Sequence, residues 1–148
     1  MRIGRIIQKD LEERGIVSVR PDVSVYEALE TMKANGIGSV LVMTNDHLEG
    51  IFTERDYAYE GELEGRVAKE TPVAELMTPS SEIISVPIDA SLSTTAGLMI
   101  ANNIRHVVYL KANGEVVGII SQRNIVAYLH EDLNRLAMDY FGYDPFRT

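Results

Sequence analysis

Apolar and polar positions along this chain follow one rhythm for about sixty residues and then repeat it. A short apolar stretch at about 16–19 runs into a turn carrying Pro21-Asp22, after which Ser24 suits a helix N-cap. The spacing of Val25, Leu29 and Met32, four and then three, predicts a helix over 24–34 that Asn35-Gly36 closes. A β-rich run follows, Ser39-Val40-Leu41-Val42-Met43, and a tight turn at Asn45-Asp46 leads back through Gly50-Ile51-Phe52. A second helix opens at Thr53. The same order begins again near 83–86, with Pro87 and Asp89 in the turn and Ser91 as the cap. It continues through His106-Val107-Val108-Tyr109-Leu110, a turn at Asn113-Gly114, Gly118-Ile119-Ile120 and a helix start at Ser121.

The two copies lie in one register. Ile84 stands 67 residues after Val17, and that offset brings Asp22 onto Asp89, Ser24 onto Ser91, Met32 onto Met99, Ile37 onto Ile104 and Val40 onto Val107. One inserted residue in the second turn makes the offset 68, so Gly50 meets Gly118, Thr53 meets Ser121 and Arg55 meets Arg123. Chance matches apolar positions readily, but not apolar, turn and polar positions together. The pattern predicts an α+β fold of two β-α-β-β-α repeats. A unit of roughly sixty residues buries too little surface to stand comfortably alone. The copies are therefore expected to pack with pseudo-twofold symmetry into one module, leaving two related clefts.

Around the repeats, Ile3, Ile6, Ile7 and Leu11 form a helical stripe, Glu60–Lys69 reads as a connector, and Pro72–Met77 as a short helix leading into copy two. The expected divisions are 1–70, 71–130 and a tail at 131–148. In that tail Leu133, Leu136, Ala137, Tyr140 and Phe141 fall at helical spacing, Gly142 stops the helix, and Tyr143 and Phe146 follow. Such a helix packs on its own module or across a dimer; the alternative is a docking element for a partner.

Composition narrows the classes. Hydrophobic residues make up 45% of the 148, as in a packed domain, and no run of about 18 apolar residues is present to span a membrane. The first ten residues turn charged before a secretory segment can form, and with no cysteine there is neither disulfide nor thiolate site. A cytoplasmic protein is expected. The formal charge of −8 argues against nucleic-acid binding, whose affinity rests on clustered Lys and Arg, although a small anion needs only a few local donors.

The strongest local signal is Thr53-Glu54-Arg55-Asp56, mirrored by Ser121-Gln122-Arg123-Asn124. Ser/Thr-x-x-acid caps a helix N-terminus, and capping alone would explain it. Both copies, however, end an apolar strand with Gly-x-x-Thr/Ser and follow it with an arginine, where free N–H groups and the helix dipole favour an anion. An aspartate one turn in can accept hydrogen bonds from two neighbouring ribose hydroxyls.

The duplicated unit, the Leu76-Met77-Thr78-Pro79 lead-in, the Asn103-Ile104-Arg105-His106-Val107-Val108 strand start and the Gly-x-x-Ser/Thr-x-Arg-Asp/Asn exit resemble the cystathionine-β-synthase-type (CBS) domain family. The likeness covers roughly residues 3–130. It implies a two-repeat module, commonly a homodimer, that binds AMP, ADP, ATP or S-adenosylmethionine between repeats. By position it implies a first site in which Asp56 holds the ribose, Thr53 and Ile51 lie beside the nucleoside, Ile84 closes the adenine slot, and Gly38 and Ser39 approach the phosphate. In the second, Asn124, Ser121 and Ile119 take those parts and Val17 is the wall. Arg105 and His106 would face phosphates, with Arg55 and Arg123 as further phosphate candidates. The sequence departs from the family pattern at Asn124: an amide lacks the charge that strengthens a hydroxyl bond, so the resemblance implies unequal sites, the one at Asp56 tighter.

Other features carry less. His47 and His130 have no partner at metal-ligand spacing, and Gly36-Ile37-Gly38 follows a helix rather than opening one. No catalytic constellation is visible, so no enzyme, metal site or required cofactor is expected. The resulting expectation is a regulatory module that senses an adenine nucleotide and acts in trans on a partner protein. The alternatives are a ligand-independent dimeric scaffold or an S-adenosylmethionine sensor.

Overall fold

Caps decide where the helices begin and end. A computed structural model describes Arg2–Gly142, with side chains from Ile7 onward; Tyr143, Phe146 and the side chains of Ile3 and Ile6 lie outside the described residues. The Ser24 hydroxyl accepts the Glu27 N–H at 3.1 Å to start helix α2 (Val25–Asn35), and Gly36, at φ 63°, closes it in the left-handed conformation. Ser91 starts α4 (Leu92–Asn102) in the same way, through the Thr94 N–H at 3.0 Å. There the left-handed closing residue is Asn103, at φ 51°, one of the few side chains that tolerate that region.

Two sheets carry these helices. The first has the order β1 (Ser18–Val19), β2 (Ser39–Thr44), β3 (His47–Thr53), β4 (Thr78–Pro79); the second has β5 (Ser85–Pro87), β6 (His106–Leu110), β7 (Val116–Ser121). In each, the opening strand runs parallel to the next, because a helix crosses between them, and a hairpin makes the following pair antiparallel. The expected β-α-β-β-α order is present twice. Even the irregularity repeats: the pairing register shifts after Val42 in one hairpin and after Tyr109, the matching residue, in the other.

The packing divides the chain differently from the repeats. Ile16–Ile84 form one compact unit, and helix α1 (Arg2–Arg14) groups with the chain from Ser85 onward. The reason lies in the cores. Val25, Ala28, Met32, Val40, Val42 and Phe52 of copy one are completed by Val73 and Leu76, from the segment expected to lead into copy two. That segment is a 3-10 turn at Val73–Glu75, stitched in by Val73 N–H to Val23 O and Val25 N–H to Thr71 O, both 2.8 Å. In the other unit Ile7 and Leu11 of α1 join Val86, Met99, Val107, Tyr109, Ile120 and Tyr128. Tyr128 donates its hydroxyl proton to Asp10, which also pairs with Arg14 at 3.0 Å. Burial and this carboxylate together hold the Tyr128 hydroxyl protonated well above its ordinary range. The lead-in of each copy thus completes the core of the other.

A glycine permits each exchange. A Cβ built on Gly50 would lie 2.5 Å from the Thr78 carbonyl oxygen and 2.6 Å from Met77 Sδ; on Gly118 it would lie 2.9 Å from Leu11 Cδ2. Two helices also differ from expectation. The one opening after Thr53, α3 (Glu54–Asp56), widens into a π-helical turn over Tyr57–Glu62, which occupies the start of the expected connector. The one opening after Ser121, α5 (Gln122–Phe141), runs on without a break, so the tail helix is its C-terminal half; Gly142, at φ 69°, ends it.

Candidate functional site

Each hairpin returns its chain to the point where a helix begins, and the candidate residues collect there. In copy one, Ser39 opens β2 directly opposite Thr53, the last residue of β3. The Thr53 backbone is still extended (φ −122°, ψ 163°), so the chain turns sharply into α3. The Thr53 hydroxyl accepts the Asp56 N–H at 3.2 Å, and Asp56 Oδ2 accepts the Thr53 N–H at 2.9 Å. The Glu54 N–H donates to the Gly38 carbonyl at 3.1 Å. Gly38, Ser39, Thr53 and Asp56 therefore form one corner, with Ser39 and Ile51 buried and the other three half-buried. Ile84 is half-buried in the same compact unit.

Copy two builds the same corner from other side chains. His106 stands opposite Ser121, and the Gln122 N–H donates to the Arg105 carbonyl at 2.8 Å. The Asn124 N–H reaches the Ser121 hydroxyl at 3.1 Å, while Asn124 Oδ1 accepts both the Ser121 N–H and the Ser121 hydroxyl at 2.8 Å. Arg105 and Arg123 are exposed, and His106 and Ile119 half-buried. Val17 falls in the other unit, where its carbonyl accepts the Leu41 N–H.

Capping is thus real in both copies, as the Ser/Thr-x-x-acid reading requires. The two caps differ in what they have to offer a ligand. An amide oxygen has two lone pairs, and at Asn124 both are engaged, which leaves its NH₂ to face a ligand as a donor. A carboxylate has about four acceptor sites, and the hydrogen bonds from the Thr53 N–H and hydroxyl at Asp56 leave some of them open. Burial pushes the Asp56 carboxyl above the ordinary carboxylate range; the hydrogen bonds from Thr53 pull it back, Glu60 adds to the rise and Arg55 opposes it.

The repeated motif pointed to Thr53, Asp56, Ser121 and Asn124, and the CBS resemblance to Gly38, Ser39, Ile51, Arg105, His106 and Ile119, but neither reached the neighbourhood that follows. The widened turn is marked by bonds five residues apart, Leu63 N–H to Ala58 O at 3.2 Å and Tyr57 hydroxyl to Glu62 at 3.1 Å. It brings Glu60 into the field of Asp56. A glycine at 61, buried between Tyr57 and Leu76, was the available signal. Among the described residues no group of three or more His, Asp or Glu gathers as a metal site, and no helix is long and apolar enough to cross a membrane.

The model of the CBS domain matches residues 9–60 and again 73–131. The chain belongs to the CBS-domain family. Among relatives, it is 33% identical over 119 residues to the CBS domain-containing protein CBSX3, mitochondrial, of Arabidopsis thaliana, a match covering 78% of this chain and 57% of that one. The chain therefore spans little more than half of that curated relative. A structure of a protein with CBS domains from Burkholderia ambifaria superposes with a TM-score of 0.78 at 32% identity, covering 88% of this chain and 93% of the other. The crystal structure of CBSX2 in complex with AMP superposes with a TM-score of 0.67 at 25% identity, over 86% and 97% of the two chains. Two CBS repeats in an α+β fold are what this CBS-domain chain is.

Proposed function

We propose that this CBS pair is a regulatory module that binds an adenine nucleotide at the Asp56 corner and acts in trans on a partner protein. One observation carries the reading. The cap does not need a charge at position 56, because Asn124 makes the matching bonds as an amide, yet a half-buried carboxylate stands there against its own burial. A charge held where the fold does not require it points to a ligand. The ligand this chemistry fits is a vicinal diol, whose two hydroxyls donate into one carboxylate. Thr53, Ser39, the Gly38 backbone and Arg55 offer contacts for the attached phosphate, and Ile51 and Ile84 an apolar seat for the base. The AMP complex of a structural neighbour supports adenine as that base.

Ligand regulates by shifting an equilibrium whose states it binds unequally, and the partner responds to the favoured state. Thermal unfolding with AMP, ADP, ATP and S-adenosylmethionine tests the proposal. At least one adenine nucleotide should raise the melting temperature. Asp56→Ala should weaken that ligand about 10- to 100-fold, the usual worth of a charged hydrogen bond. Four flat titrations would instead support the ligand-independent scaffold, and a response to S-adenosylmethionine alone would support the sensor of that ligand.

A further inference from the structure

The widened turn after Asp56 holds apolar side chains where the fold has no use for them. Tyr59, Leu63 and Val67 are 60%, 75% and 54% exposed, although they stand in a segment that backbone hydrogen bonds hold in place. The Leu63 N–H reaches the Ala58 carbonyl at 3.2 Å and the Arg66 N–H the Gly61 carbonyl at 2.9 Å, each five residues back. Further on, the Val67 carbonyl accepts the Glu70 N–H at 3.0 Å and the Thr71 hydroxyl at 2.8 Å. At the base of the segment Gly61 is buried between Tyr57 and Leu76. Tyr59 and Leu63, four apart in a turn bonded five apart, share one side of it. Copy two does without this turn: its matching residues, 125–130, lie in the unbroken helix α5. Turns of this kind depart from regular helix and recur at functional sites.

We propose that Tyr59, Leu63 and Val67, with the glutamates set among them, are the docking surface for a cationic amphipathic segment of a partner protein. Charge argues for that occupant. Glu60, Glu62 and Glu64 alternate with the apolar positions and are exposed. From Glu54 to Glu75 seven acidic residues stand against three basic ones, which is half of the chain's formal charge of −8. Two of those cations are already committed: Arg66 pairs with Glu75, and Lys69 Nζ lies 4.7 Å from the centre of the Tyr26 ring. Such a surface repels anionic lipid and a phosphate backbone. Lysine and arginine fit it, because their aliphatic stems can lie on Tyr59 and Leu63 while their charged heads meet the carboxylates. The apolar positions of an amphipathic helix would supply the remaining contacts. The inference rests on the reading that the module acts on a partner, and not on which ligand fills the Asp56 corner.

Fluorescence anisotropy of the full chain with two labelled peptides tests it. One peptide, of about 14 residues, carries leucine and lysine at helical spacing; its counterpart has glutamate for every lysine. The lysine peptide should bind, about tenfold more weakly as ionic strength rises from about 0.05 to 0.5 M, and the glutamate peptide should not. Leu63→Ser should weaken the lysine peptide about tenfold and Glu64→Lys about threefold. Both side chains are exposed, so both variants should keep the native midpoint of urea unfolding. Glu131→Lys, an exposed charge in the other compact unit, should leave binding unchanged. The titration contains no nucleotide, so its failure and a flat response to nucleotides in thermal unfolding are separate outcomes. No binding of the lysine peptide, equal binding of the two peptides, binding that Leu63→Ser leaves intact, or an equal loss in Glu131→Lys would each overturn the proposal.

Discussion

The two copies share a backbone down to the same shifted hairpin, yet they differ in the side chains set upon it. Where copy one buries Ala28 and Val42, copy two buries Thr95 and Tyr109, and the two hydroxyls of that pair hydrogen-bond to each other. The Thr95 hydroxyl also donates to the Ser91 carbonyl at 3.1 Å, so no buried polar group of the pair stands alone. Where copy one has Gly38-Ser39 against a carboxylate, copy two has Arg105-His106 against an amide. Helix caps and the pairing of the matched strands are common to both. The fold therefore constrains geometry at these corners and leaves their chemistry open, which is why the duplication predicts structure better than it predicts two equal sites.

The largest difference between copies under mutation should come from the two exchanged lead-ins. At Gly50 an added methyl meets a backbone carbonyl held in the β3–β4 ladder, which cannot step aside without breaking that pairing. At Gly118 it meets only the tip of the Leu11 side chain, which can rotate. Gly50→Ala should destabilise by about 2–3 kcal/mol and Gly118→Ala by about 1 kcal/mol or less, as read by urea unfolding. Equal losses would show that α1 is held on its sheet as rigidly as β4 is on its own.

Those lead-ins also mark where reading the chain alone stops. Ser24, Ser91, Gly36 and the turn at Asn113-Gly114 act within a few residues of themselves, so their roles are written locally and the structure repeats them. Val73 and Leu11 are apolar residues at helical spacing in either arrangement. Which sheet they cover is settled by long-range packing that no local pattern encodes. The division expected at 130/131 set the tail helix apart from the second repeat; α5 runs through it because nothing between Gln122 and Phe141 stops a helix. At the corners, residue identities were legible, but the saturation of the Asn124 oxygen by its own cap was not.

That saturation can be reversed. Asn124→Asp should keep the cap, as Asp56 does in copy one, and add acceptor sites where the amide presents donors. If the nucleotide reading holds, the variant should tighten binding at the second corner about tenfold, close to one charged hydrogen bond. Calorimetric titration would read this as a second saturable site with Arg105 and His106 nearby. An unchanged isotherm would show that position 124 is not what separates the two corners.

The reverse exchange, Asp56→Asn, isolates the smallest effect and the one tied to pH. The folded-state pKa of Asp56 is raised, chiefly by burial and further by Glu60, while the hydrogen bonds from Thr53 and the charge of Arg55 oppose the rise. A carboxyl raised in this way contributes stability that is fully present below its unfolded pKa, about 3.9, and lost as pH rises through the folded value. An amide does not titrate. The melting temperature of Asp56→Asn minus that of the native chain, both without ligand, should therefore become more positive from about pH 3 to pH 7, by a few degrees at most. A difference that stays flat would mean the charge at position 56 costs the fold nothing, and would remove the asymmetry on which the nucleotide proposal rests.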